Sequence, residues 1–158
     1  MPKVNPIPPG HTTVTATITV KDARKAIAFY EKALGATERG RFEGPDGKIM
    51  HAEIQIGTSP VMMNDEVMGS RSPQTIGGSP VSFYLYVEDA EAAHKKALAA
   101  GGKEIMAVTE MFWGDRMGQF EDPFGYRWTL ATRIKEMTPE QTKKAGEEFF
   151  KKQMAGAK

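Results

Sequence analysis

A histidine and a carboxylate, His51 and Glu53, stand two residues apart in a run where Met50, Ala52, Ile54 and Ile56 alternate with polar side chains. Period-two alternation puts the apolar four on one face of a strand and His51, Glu53 and Gln55 on the other. An imidazole beside a carboxylate can take or give a proton near neutral pH, so this pair is the candidate catalytic set. The same groups could donate to a divalent metal, with Asp115 or Glu110 as a third donor. Zinc, nickel or iron asks for about three or four protein donors, so a hydrogen-bonded pocket histidine is the plainer reading of His51. His94 falls on a helical stripe and reads as structural; His11 precedes the first strand and reads as exposed. Cysteine is absent, which removes disulfides, thiolate nucleophiles and Cys-ligated metals.

Aromatic residues mark a second candidate set. Tyr84 and Tyr86 share the polar face of an alternating strand and offer flat surfaces with hydroxyl tips to a planar ligand, although cross-strand packing would use them equally well. The stretch Met111-Phe112-Trp113-Gly114-Asp115-Arg116 sets aromatics beside a charged pair, the composition of a cup rim or a dimer contact. Asp115 and Arg116 read equally as a solvated ion pair. No glycine-rich phosphate cradle or nucleophile elbow occurs in a suitable context.

The elements that must position these residues come in two copies. Val20-Lys21-Asp22-Ala23 is echoed by Val87-Glu88-Asp89-Ala90, and Lys32-Ala33-Leu34 by Lys96-Ala97-Leu98. Before each echo lies an alternating strand: Val14, Ala16, Ile18 and Val20 against Thr13, Thr15, Thr17 and Thr19, then Val81, Phe83, Leu85 and Val87 against Ser82, Tyr84 and Tyr86. Asp22 and Asp89 are suitable N-caps for amphipathic helices, the first ending at Gly35 and the second before Gly101-Gly102. Turn residues then space three antiparallel strands in each half, at 37 to 43, 48 to 56 and 60 to 65, and at 103 to 109, 115 to 121 and 126 to 132. The order is β-α-β-β-β, twice. Residues 67–79 lack any period and are rich in turn formers, which predicts a mobile linker. Thr138-Pro139-Glu140-Gln141 is a capping box opening a charged helix, with Thr142, Ala145, Phe149 and Phe150 as its docking face.

Helices need an apolar sheet face beneath them, so the polar faces must either be solvated or line a hollow between the two copies. The matched halves favour the hollow, the usual form of a small-molecule site. Composition narrows the partners. With 158 residues, 21 Lys and Arg against 20 Asp and Glu, and a net charge of +1, nothing attracts nucleic acid or anionic membranes generally. The opening Met1 to Gly10 has no apolar stretch long enough for a signal peptide or membrane span, and the expectation is a cytoplasmic protein.

Taken in order, these segments resemble a known family. The stretch Thr15-Ala16-Thr17-Ile18-Thr19-Val20-Lys21-Asp22 through Ala28-Phe29-Tyr30-Glu31-Lys32-Ala33-Leu34-Gly35-Ala36 resembles the first-module signature of the vicinal-oxygen-chelate superfamily, the glyoxalase/bleomycin resistance/dioxygenase group. Asp122-Pro123-Phe124-Gly125-Tyr126-Arg127-Trp128 resembles the second. His51 to Gly57, Gly78 to Ser82, Trp113-Gly114-Asp115-Arg116 and Trp128 to Thr132 are similar to the PhnB-like branch. The resemblance implies an α+β fold of two βαβββ modules, 12–66 and 80–133, forming a curved mixed sheet around a cup within a domain of residues 1–137, with a C-terminal helix and tail at 138–158. It also implies a homodimer. Metal-dependent members carry ligands at positions that fall here on Thr15, Met62, Ser82 and Thr129, none of them an imidazole or carboxylate. The expectation is therefore a metal-free, cofactor-free cup binding a small molecule through Thr15, Met62, Ser82, Tyr84, Trp113, Asp115, Arg116 and Thr129. The alternative is a lyase, isomerase or dioxygenase-like enzyme using His51 and Glu53, with or without an unusual divalent metal.

Overall fold

The computed structural model describes residues 4–156; Met1 to Lys3 and the last two residues of the tail lie outside the described residues. The first module runs β1 (Ala16–Thr19), α1 (Ala23–Leu34), β2 (Thr37–Glu43), β3 (Ile49–Ile56) and β4 (Ser59–Asn64). A helical turn, α2 (Pro73–Ile76), leads to β5 (Ser82–Tyr86), α3 (Ala90–Ala99), β6 (Lys103–Glu110), β7 (Asp115–Glu121) and β8 (Arg127–Arg133), and α4 (Pro139–Gly156) follows. Each module makes one four-stranded sheet, ordered β1-β4-β3-β2 and β5-β8-β7-β6. The first strand of each pairs parallel to the last, with Thr17 opposite Met62 and Tyr84 opposite Thr129; the other pairings are antiparallel. This is the expected pair of βαβββ modules with a C-terminal helix.

Capping chemistry sets the helix starts. Asp22 Oδ1 accepts from Lys25 N at 3.0 Å and Asp89 Oδ1 from Ala92 N at 3.0 Å, while Gly35 closes α1 at φ 67°, where a side chain would be strained. At the end of the last strand of each module a side chain also grips the first helical amide of that module's helix, from just past β4 in the first and from within β8 in the second. Asp65 takes Ala23 N at 2.7 Å, and Thr132 Oγ1 takes Ala90 N at 2.8 Å.

Two expectations change here. Val14 and Val81 were to extend the helix-facing rows, yet both are exposed and the strands begin two residues or one later, at Ala16 and Ser82. Thr12 Oγ1 donates to the Val14 carbonyl at 2.6 Å, and Ser79 Oγ donates to that of Val81 at 3.1 Å. In both copies a hydroxyl two residues upstream claims a carbonyl that a longer strand would need. The segment 67–79, expected to be a mobile linker, is organised around Glu66, which accepts from Ser72 N at 2.8 Å and Ser72 Oγ at 2.7 Å. Ser72 is fully buried. The nearby Thr75 hydroxyl, then both groups of Ser72, hold the Glu66 carboxyl down at about 2.

One apolar core joins the modules. Ile18, Val20, Ala52, Ile54, Ile56, Val61 and Met63 face α1, continuous with Phe120, Trp128 and Leu130 on the second sheet. At the seam Asp122 is buried and accepts four hydrogen bonds: Tyr30 OH at 2.7 Å and Trp128 Nε1 at 2.8 Å on Oδ2, Phe124 N and Tyr126 N at 2.9 Å on Oδ1. Burial raises its carboxyl above the ordinary aspartate range, against the pull of those donors. Tyr126 OH completes the seam, donating to Thr19 O at 3.0 Å and accepting from Thr19 N at 3.2 Å. Helix α4 opens with the expected capping box: Thr138 Oγ1 accepts from Gln141 N, and Gln141 Oε1 from Thr138 N. No helix among the described residues is long and apolar enough to cross a membrane.

Candidate functional site

Opposite the helices, the first sheet shows Thr17, Thr19, His51, Glu53, Gln55, Met62 and Asn64, as strand alternation requires. The predicted pairing of His51 with Glu53 does not form. Glu53 Oε2 instead meets His11 Nε2 at 2.9 Å, with Arg39 Nε at 3.7 Å from its other oxygen. His51 is exposed beside Phe42, its register neighbour on β2. His11, expected to be exposed, retains 13% of its side-chain surface, and its Nδ1 is buried without a hydrogen-bond partner. Residues just before β1 therefore fold across the polar face of their own sheet. Gly10 makes this approach possible: at φ 80°, a Cβ there would stand 3.0 Å from the Arg39 guanidinium. The His11 contact spans 42 residues, and no local pattern announces it.

The second sheet gathers its candidates more tightly. Tyr84 and Tyr86 on β5, Met117 and Asp115 on β7, and Thr129 and Ala131 on β8 share one face. Asp115 is 5% exposed, and its Oδ2 alone accepts three donors: Tyr84 OH at 2.7 Å, Trp113 Nε1 at 3.1 Å and Tyr86 OH at 3.2 Å. The two phenol rings lie 5.2 Å apart, tilted by 52°, and remain 46% and 63% exposed. Desolvation, then the Asp115 charge and its hydrogen bond, raise both phenols above the ordinary tyrosine range. A phenol harder to ionise is a weaker acid.

Trp113 is held from behind. Phe112 packs edge-on against it at 4.9 Å between ring centroids, and Phe149 of α4 lies 5.3 Å from Phe112 on the other side. A Cβ on Gly146 would come within 3.1 Å of the Phe112 ring, so the lack of a side chain there lets helix and loop close. The C-terminal helix thus docks as the Phe149 and Ala145 stripe suggested, and its target is the loop that carries Trp113.

Other expected ligand residues are placed apart. Arg116 points away from Asp115 and pairs with Glu110 at 2.6 Å, so the expected Asp115–Arg116 ion pair gives way to two separate contacts on opposite faces of β7. Thr15 lies before β1, its hydroxyl on Thr12 O, and Ser82 is exposed at the start of β5. Met62 sits beside Thr17, whose hydroxyl approaches its sulfur at 3.8 Å, and Thr129 is buried, accepting from Gln119 Nε2 at 3.2 Å. These four positions supply hydroxyls and a thioether. Among the described residues no three His, Asp or Glu side chains converge on one point. Such a donor set does not suit the hard, imidazole- and carboxylate-bound divalent ions of metal-dependent relatives. Tyr84 also walls a cleft of about 280 Å³ between the edges β1 and β5, lined by Val14, Pro60, Val61, Phe83 and Trp128. A larger hollow of about 480 Å³ along α4 is bounded by Phe149, Lys152, Gln153 and Gly156 of that helix and gathers no convergent polar groups.

Comparison with known proteins follows the same lines. The family model described as the Glyoxalase/Bleomycin resistance protein/Dioxygenase superfamily matches residues 10–130. An uncharacterized protein of Mycobacterium tuberculosis is 41% identical over 133 residues, 81% of this chain and 78% of that protein. The X-ray structure of an Arabidopsis thaliana gene product superposes with a TM-score of 0.62 at 31% identity, covering 76% of this chain and 98% of that one. A Bacillus cereus structure described as a putative 3-demethylubiquinone-9 3-methyltransferase, PhnB protein, shares the fold with a TM-score of 0.61 at 17% identity, over 77% of this chain and 99% of that one. With the paired βαβββ modules and a match over most of its length, the chain belongs to the glyoxalase/bleomycin resistance protein/dioxygenase superfamily.

Proposed function

We propose that this protein binds a small organic molecule on the polar face of its second sheet, against Tyr84, Tyr86 and Trp113, without the metal centre that some superfamily members use. The observation that carries the reading is the convergence of three aromatic donors on one buried oxygen of Asp115 while the tyrosine rings stay half exposed. Ordinary cross-strand packing accounts for the contact between the two rings. It gives no reason to bury a carboxylate at its base, at the desolvation cost that implies. Fixed rings lose little further freedom when a flat ligand lands on them, and such preorganisation favours binding.

The sheets are separate, with β1 and β5 as unpaired neighbouring edges, so a second copy would be needed to close a cup over either polar face. We take the working form to be a homodimer, and the lack of cysteine accords with a cytoplasmic, reducing setting. Light scattering reports the dimer directly. Binding is tested by screening uncharged and charged aromatic metabolites with wild type, Tyr84→Ala and His51→Ala. Loss of binding in the first and retention in the second supports this site; the reverse pattern moves it to the first sheet. A second, enzymatic reading rests on the part-buried His11–Glu53 pair and replaces His51 with His11 as the proton carrier. Turnover of a hydroxylated or carbonyl substrate that is lost in Glu53→Gln and kept in His51→Ala would establish it.

A further inference from the structure

The hub at Asp115 dictates which atoms a ligand must bring. A phenol has one proton and an indole has one, and here all three protons are directed at Oδ2 of Asp115. Tyr84 OH also lies 3.4 Å from the Met117 sulfur, another acceptor. The phenol oxygens are left with lone pairs only. Both rings present negative π faces, and the carboxylate beneath them carries the charge. Among the described residues no cation comes within 4.0 Å of Asp115; Arg133, its register neighbour on β8, leans toward Glu136 at 3.9 Å. The face thus offers acceptors and negative potential around an aromatic floor. An anion would find no donor on the aromatic floor itself, only the Arg133 guanidinium to its side, and an uncharged ring would use the floor but not the charge.

Resting on the site assigned under the proposed function, we propose that its ligand is an organic cation, an ammonium or quaternary ammonium attached to a flat apolar body. The charge lies over the Tyr84 and Tyr86 rings with Asp115 as counter-charge, and the apolar body extends along Tyr84 into the cleft beside β5. Arg133, opposite Asp115 in the strand register, stands as a nearby opposing charge, and its guanidinium pulls the Tyr86 phenol in the opposite direction from Asp115.

The test uses three probes of one shape on the full chain: benzyltrimethylammonium, its uncharged isostere neopentylbenzene, and benzylsulfonate. Affinity is read by calorimetry, and location by the indole N–H resonance of Trp113. The cation is expected to bind about fivefold or more tightly than the isostere, and the sulfonate more weakly than either. Asp115→Asn should remove the preference while leaving the isostere within about twofold, and Arg133→Ala, which leaves the hub intact, should tighten the cation about twofold. Equal binding of cation and isostere with Trp113 responding to both overturns the cation assignment and leaves the site standing. Failure of every probe to move Trp113 overturns the cation assignment and the site together. An Arg133→Ala variant that weakens the cation also overturns the assignment, and does so without depending on how Asp115→Asn folds.

Discussion

Replacing Asp122 with asparagine, an exchange of one atom for another, should destabilise the seam between the modules. Oδ1 holds the amides of Phe124 and Tyr126, and Oδ2 holds Tyr30 OH and Trp128 Nε1. An amide keeps one oxygen, so either orientation points an NH2 group at two buried donors. Each orphaned donor costs about 1–3 kcal/mol, or about 2–6 kcal/mol for the pair. Removing a charge whose burial already raises its pKa returns part of that, which leaves about 2–4 kcal/mol. For a chain of 158 residues each kcal/mol moves Tm by roughly 2–4 °C, so a fall of roughly 4–16 °C is expected. Tyr30→Phe is the control. It deletes one donor, keeps the 5.5 Å ring contact with Trp128 available, leaves the carboxylate three partners, and should cost about 1.5–2 kcal/mol. Thermal and urea unfolding followed by tryptophan fluorescence gives both values. Asp122→Asn within about 0.5 kcal/mol of wild type, or costing less than Tyr30→Phe, would refute the seam as described. Because one apolar core continues to join the modules, both variants should retain one cooperative transition.

Three further outcomes follow from the same geometry. Glu66 has a folded pKa of about 2, below its unfolded value, so its contribution is full above the ordinary glutamate pKa and is lost as pH falls toward 2; acid unfolding of Glu66→Gln should be shallower over that window, and an identical acid limb would contradict it. Gly118→Ala places a Cβ 2.8 Å from Val108 Cγ2 and 3.0 Å from the His94 ring, where α3 meets β7, and should destabilise by about 1–3 kcal/mol in urea unfolding. A chain ending before Thr138 loses the Phe149 contact behind Phe112, so it should fold, show higher fluorescence mobility at Trp113 and bind its ligand more weakly; unchanged Trp113 anisotropy would show that α4 has no hold on the site.

Much of the scaffold was legible because its signals are local and occur twice. Asp22 and Asp89 cap where an aspartate before an apolar stripe should, the Thr138–Gln141 box closes on itself, and alternation at 51–56 predicts the faces of β3, whereas at the register shift beyond His51 the core takes Ile49 in place of the expected Met50. The strand starts were misjudged because apolar periodicity carries on through Val14 and Val81 while Thr12 and Ser79 capture their carbonyls. The paired hydroxyl-x-Val spacing was the available signal. The ordering of 67–79 was missed because turn-rich composition does not reveal that Glu66 will find Ser72. Of the candidate site, Tyr84, Trp113 and Asp115 were named from composition, but their convergence on one oxygen depends on strand register and a loop's return, which spacing alone does not encode. His11 was invisible for the same reason: its partner lies on another strand, far along the chain.

The chain has two tryptophans, and both indole N–H groups are hydrogen-bonded to an aspartate, Trp113 to Asp115 on the polar face and Trp128 to Asp122 in the core. A nitrogen-15 spectrum recorded while a bound small molecule is titrated therefore reads the location of the site from two peaks. The proposed location requires the Trp113 peak to move in a saturating way while the Trp128 peak stays in place. A ligand that binds and leaves Trp113 unmoved, with shifts gathered instead around His11, His51 and Glu53, would contradict it.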